Sequence, residues 1–171
     1  MPLSRELVQA VRSRIAQCPD LPEEQLAAEL NAPEADVITA LPLSMRRKAR
    51  LSDLAVIWKR AARWKNVRIS APTATQPPTG LPEAIAEGRL PVGSAWFVSK
   101  PVAGMESHAI HMYDERGSRM LSLHLGRDRN GGICPEDKAD FDELREHYGV
   151  TPKPRMRCKG CTACTCGGHA H

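Results

Sequence analysis

The chain has 171 residues, enough for one compact body with a core and a tail, and only seven of them are Phe, Tyr or Trp, so the core must rest on Leu, Val, Ile, Ala and Met. No stretch approaches the roughly 20 apolar residues of a membrane span, and Arg5, Glu6, Arg12 and Arg14 stand where a signal peptide would be apolar, so a cytoplasmic protein without membrane insertion is expected. The net charge of +4 hides a local excess: residues 43–68 carry nine bases (Arg46, Arg47, Lys48, Arg50, Lys59, Arg60, Arg63, Lys65, Arg68) against the single acid Asp53. Such a patch suits either an anionic partner or a solvated helix face.

In chain order, Ser4 is a candidate N-cap for a helix over residues 4–17, whose apolar Leu7, Val8, Val11 and Ile15 repeat at helical spacing up to Cys18-Pro19. A second helix is predicted from Pro22 through Leu26 and Leu30, and a third after Pro33 through Val37, Ile38 and Leu41, ending at Pro42. The three form a helix-turn-helix-like unit. A fourth helical pattern covers residues 51–63. Residues 71–82 contain four prolines and no charge, which predicts a linker or ordered loop.

Beyond it, residues 94–99, 108–113 and 119–125 read as strands, the last two as a hairpin around Asp114 to Ser118, and a final helix starts near Pro135 and runs to Tyr148. Pairing Ile110 with Leu123 and Met112 with Leu121 makes one hairpin side uniformly apolar, whereas a one-residue slip mixes the faces. That register predicts His111, Tyr113, Met120, Ser122 and His124 on the other side, as a solvated face or a ligand-facing one. The expected architecture is α+β: a helical unit (1–64), a Pro-rich connector (65–93), an antiparallel β-sheet with a C-terminal helix (94–150), and an extended Cys/His-rich tail (151–171).

In that tail, Cys158-x2-Cys161-x2-Cys164-x-Cys166 precedes Gly167-Gly168-His169-Ala170-His171, six soft ligands in fourteen residues. Thiolates and imidazoles at this density suit Zn²⁺, Cu⁺ or iron, while the Cys164-x-Cys166 step departs from ferredoxin spacing. A disordered terminus that captures metals only opportunistically is the plainer alternative. Lys153, Arg155, Arg157 and Lys159 would lower the thiol pKa values. Cys18 and Cys134 precede prolines at helix boundaries and read as small half-buried residues.

Three motifs occur in order: Trp96-Phe97-Val98-Ser99-Lys100-Pro101, Gly104-Met105-Glu106-Ser107-His108 and Leu125-Gly126-Arg127-Asp128. With them, the hairpin containing Gly117 and Met120, and Pro135 at the last helix, the sequence resembles the HutX/ChuX-type cytosolic haem-utilisation carriers; Ala95-Trp96 before Lys100-Pro101 is also similar to the HemS/ChuS type. The resemblance implies a homodimer that binds haem on a sheet face and passes it to a haem-accepting or haem-degrading protein. Members of the family carry a His/Tyr-containing stretch between the helical segment and the Trp-bearing strand, and the connector here is too short and too proline-rich to supply it. Iron would then fall to His108, His111, Tyr113, His124 or the tail, with Lys100, Arg127 and the basic helix over residues 51–63 pairing with the propionates.

No nucleophile elbow, phosphate loop or paired carboxylates are present, so a carrier is expected and not an enzyme. Two alternatives stand beside it: a metallochaperone or metal sensor on a degenerate haem-carrier scaffold, binding its metal through the tail, and a helix-turn-helix DNA-binding regulator. The acidic Glu34 and Asp36 on the presumed recognition helix argue against nucleic acid.

Overall fold

The computed structural model describes residues 3–72, 80, 84, 87–89 and 91–150. Helix α1 (Arg5–Gln17) starts where the Ser4 hydroxyl accepts a hydrogen bond from the Leu7 amide at 3.1 Å, with Glu6 in the first turn to complement the helix dipole. Helix α2 (Glu23–Leu30) follows Pro22 and stops at Asn31, whose φ of 48° places it in the left-handed region that closes helices. Helix α3 (Glu34–Ala40) follows Pro33.

The strands are β1 (Arg46–Lys48), β2 (Arg68–Ser70), β3 (Ser94–Ser99), β4 (His108–Tyr113) and β5 (Arg119–His124), in the spatial order β1-β3-β4-β5-β2, every pairing antiparallel. A single 3₁₀ turn (Leu51–Asp53) leads into α4 (Leu54–Ala61), and α5 (Pro135–Tyr148) closes the described chain. The α+β architecture expected from the sequence is the one found.

Each sheet face has its own core. Ala95, Phe97, Ile110, Met112, Leu121 and Leu123 project to one side and meet Ile57, Trp58, Ala61, Trp64, Phe141 and Leu144 from the α4 and α5 region. Phe141 lies edge-on to Phe97 with ring centroids 5.7 Å apart. On the other side, Trp96, Val98 and Tyr113 pack under α1, α2 and α3 through Val11, Leu26, Val37, Ile38 and Leu41. The hairpin register is the expected one, Ile110 opposite Leu123 and Met112 opposite Leu121.

The sheet takes β1 from the expected helical unit and β2 from the expected connector, and two further features depart from the sequence expectation. The register shifts between Met112 and Tyr113, so Tyr113 pairs with Arg119, and Met120 packs against the α4/α5 core instead of joining His111 on the other side. The basic stretch is also not one solvated helix face. Arg46, Arg47 and Lys48 form the edge strand β1, and much of the remaining charge is matched by the acidic α5. Arg60 pairs with Asp140 and Glu143, Arg47 with Glu146, and Lys65 with Glu136, while the Trp64 indole donates to Asp140 at 2.9 Å.

Two loops touch at the β5–β2 edge of the sheet. A Cβ on Gly126 would lie 1.6 Å from the Asn66 carbonyl oxygen, so glycine is what lets the turn after β5 press against the chain entering β2.

Candidate functional site

Alternation along the strands decides what faces the helical unit: Ala109, His111 and Tyr113 from β4, Ser122 and His124 from β5, and Arg68 and Ser70 from β2, which pair directly with His124 and Ser122. The helices cover the Trp96 and Tyr113 end of this face. Toward the β2 edge they leave a cavity of about 280 Å³, lined on the sheet side by Val98, Ala109, His111 and His124 and on the helical side by Pro22, Glu23 and Glu24. It continues outward into a groove of about 560 Å³ through the shared residues Arg68, Val102, Ser107 and His124, with Met105, Leu125, Gly126 and Arg127 on the groove walls. In the other direction a cleft of about 550 Å³ meets the cavity at Glu24, Ser70 and Arg119.

The two imidazoles are neighbours, with ring centroids 5.7 Å apart. His111 is 2% exposed, and its Nδ1 lies 2.6 Å from the Ser122 hydroxyl, which fixes the ring. His124 Nε2 lies 3.3 Å from the Ser70 hydroxyl. Burial first, then the nearby Arg119 guanidinium, holds the His111 pKa well below the ordinary imidazole value. Burial, Arg68 and Arg119 bring His124 down to about 4. Both rings are therefore unprotonated at neutral pH, the form in which imidazole ligates a metal.

The charged wall is built by α2, α3 and β5 together. Arg119 pairs with Glu34 of α3 and, at 2.5 Å, with Glu24 of α2, and the Tyr113 hydroxyl donates to Glu34 at 2.9 Å. Arg68 is exposed and has no ion-pair partner among the described residues.

The residues expected from the sequence are thus divided. His111 and His124 come together in the cavity. His108 lies on the opposite face, its Nδ1 2.9 Å from the Ser99 hydroxyl, its Nε2 2.6 Å from Glu106 and its ring 5.2 Å from Phe141. Tyr113 is fully buried under the helices, where burial and the Glu34 carboxylate push its phenol pKa upward and keep it protonated. Lys100 borders the cavity, but its ammonium is caged by the Leu21 carbonyl at 2.7 Å and the Pro101 carbonyl at 3.0 Å, with Glu23 at 3.8 Å. Arg127 borders the groove and donates to the Gly131 and Glu106 carbonyls.

The tail ligands Cys158, Cys161, Cys164, Cys166, His169 and His171 lie outside the described residues, and among the described residues no three His, Cys, Asp or Glu side chains cluster as a metal site. Sequence reasoning missed Ser70 and Arg119 and gave Ser122 and Glu34 no role at this site. Arg68 counted only as one of nine bases, although its place two residues before Ser70 is the alternation that puts both on one face.

No family model matches the chain. It is 24% identical over 162 residues, 83% of its length and 84% of the relative's, to the intracellular heme transport protein HutX of Vibrio cholerae serotype O1. In fold it is similar to ChuX: one crystal structure superposes with a TM-score of 0.65 at 19% identity, covering 80% of this chain and 96% of ChuX. A further ChuX structure, described as a heme binding protein, gives a TM-score of 0.63 at 19% identity over 80% and 97% of the two chains. The heme degrading enzyme ChuS of Escherichia coli O157:H7 matches with a TM-score of 0.56 at 13% identity, over 84% of this chain but 49% of its own. The resemblance to the HutX/ChuX-type proteins, related in turn to the ChuS type, holds in sequence and in fold.

Proposed function

We propose, from this relationship, that the chain is a cytosolic haem carrier and that its cargo binds where the cavity opens into the groove beside β2. The observation that carries the reading is the pair of neutral imidazoles, His111 and His124, lining that cavity next to Arg68, a cation without an ion-pair partner among the described residues. His124 borders both cavity and groove and is assigned to the iron; His111 stands behind it, its Nδ1 engaged by Ser122 and its Nε2 without a hydrogen-bond partner among the described residues. Arg68 is assigned to a propionate. Val102, Met105 and Leu125 offer the macrocycle apolar surface, and the cavity alone is at the small end for a ligand of this size, so the groove has to contribute. The remaining sequence candidates take supporting places: Lys100 and Arg127 hold backbone carbonyls beside the site, and Tyr113 and His108 hold the two cores.

Haem added to the protein should give a shifted Soret band. His124→Ala should weaken binding by at least about tenfold, and the double variant with His111→Ala should abolish the shift while retaining the native far-ultraviolet circular dichroism. An unchanged haem spectrum on addition of the wild-type protein would refute the proposal. A carrier acts without a chemical step on its cargo, so this reading includes homodimerisation and transfer to a haem-accepting or haem-degrading partner but no reaction at the site.

We also propose that the tail binds a soft transition ion independently of the haem site, on the support of its six Cys and His ligands in fourteen residues. Titration with Zn²⁺ and Cu⁺ under reducing conditions, followed by native mass spectrometry, should show a retained ion that is lost on deleting residues 158–171. Loss of the ion to a weak chelator would reduce the tail to an opportunistic binder.

A further inference from the structure

Arg119 is an unusual group for the wall of a ligand cavity, because its side chain is 10% exposed and it serves two carboxylates at once. The two are not equivalent. Glu34 is 12% exposed, receives the Nε and Nη2 donors of Arg119, and is further fixed by the Tyr113 hydroxyl. Glu24 takes only Nη1, at 2.5 Å, and its side chain is 63% exposed. It stands in the first turn of α2, at the junction of the cavity and the neighbouring cleft.

We infer that Arg119 is the inner carboxylate-recognition residue of this cavity and that Glu24 is an internal stand-in, which a ligand carboxylate displaces. The inference rests on the haem reading and deepens it by assigning the second propionate. The exchange replaces one carboxylate on Nη1 by another, so the charge around Arg119 is conserved, and the released Glu24 regains hydration at the surface. An ion pair with so exposed a partner is weak, whereas a carboxylate held inside the cavity is screened less by solvent. The Glu34 side of the guanidinium stays in place and keeps the fork oriented for the incoming group.

The test compares haem, haem dimethyl ester and iron-free protoporphyrin on the full-length protein and on its Glu24→Gln variant, by absorbance and by quenching of intrinsic tryptophan fluorescence. The variant should bind haem and protoporphyrin about fivefold more tightly than wild type, the size of an exposed ion pair, and should leave the ester unchanged. Equal tightening for the ester, or no change for any of the three, overturns the inference. Failure of haem to bind wild type while protoporphyrin shows the Glu24 effect refutes the iron assignment and supports this one. Failure of every porphyrin to bind refutes both.

Discussion

An Arg119→Met variant is expected to lose about 3–5 kcal/mol of folding stability at neutral pH, the scale associated with stripping a buried charge of its partner. The cause is Glu34. Its carboxylate is 12% exposed and keeps only the Tyr113 hydroxyl when the guanidinium is gone. Burial already raises the Glu34 pKa above 4.5, against the opposing pull of Arg119 and Tyr113, and removing Arg119 raises it further. A carboxyl whose folded pKa lies above its unfolded value favours folding below the unfolded value and loses that contribution as pH rises through the folded one. The deficit of the variant is therefore largest at neutral pH and shrinks as the solution is acidified toward the ordinary carboxyl range. Urea unfolding of variant and wild type at neutral and acidic pH measures it. A deficit that does not change with pH would mean that lost packing, and not an unpaired carboxylate, is responsible.

Gly126→Ala should cost about 3 kcal/mol, the upper end of what overpacking a closed site costs. The obstacle is the Asn66 carbonyl oxygen, 1.6 Å from the added Cβ, which belongs to the backbone and cannot rotate out of the way as the end of a side chain can. Asn66 and Gly126 both border the outer groove, so the strain also spreads the wall against which the proposed ligand lies. A lower urea midpoint at unchanged denaturant dependence is the expected signature. A midpoint equal to wild type would show that the turn after β5 has room to move.

Most of the scaffold was legible in the sequence because its elements have clear periods. Ser4 announces α1, Pro22 and Pro33 open the next two helices, and the apolar pairs of the β4–β5 hairpin permit one register only. Strands β1 and β2 were not legible. Three residues each, Arg-Arg-Lys and Arg-Ile-Ser, are too short and too charged to show an alternating pattern, and they are strands because the sheet edges beside them need partners. β2 was therefore hidden inside the expected connector, and with it the site residue Ser70.

The same alternation that brought His111 and His124 together also separates His108, which is an odd number of residues from His111 along one strand. The bulge that diverts Met120 leaves no trace in composition. Nor could the sequence show that the polar face of the hairpin is covered: Ser122 and His111 look solvated until three helices from the start of the chain are laid across them. The Glu24–Arg119–Glu34 cluster joins residues 85 and 95 positions apart, a separation at which no local pattern carries information.

Strand β4 sits at the middle of the sheet, and all six of its residues are buried. Its amide hydrogens are then among the slowest in the molecule to exchange with solvent, because release requires opening both cores and not one. The edge strands β1 and β2 exchange by smaller, separate openings. His111 is anchored to the part of the protein that opens last, so the floor of the cavity keeps its shape while the sheet edges beside it open and close.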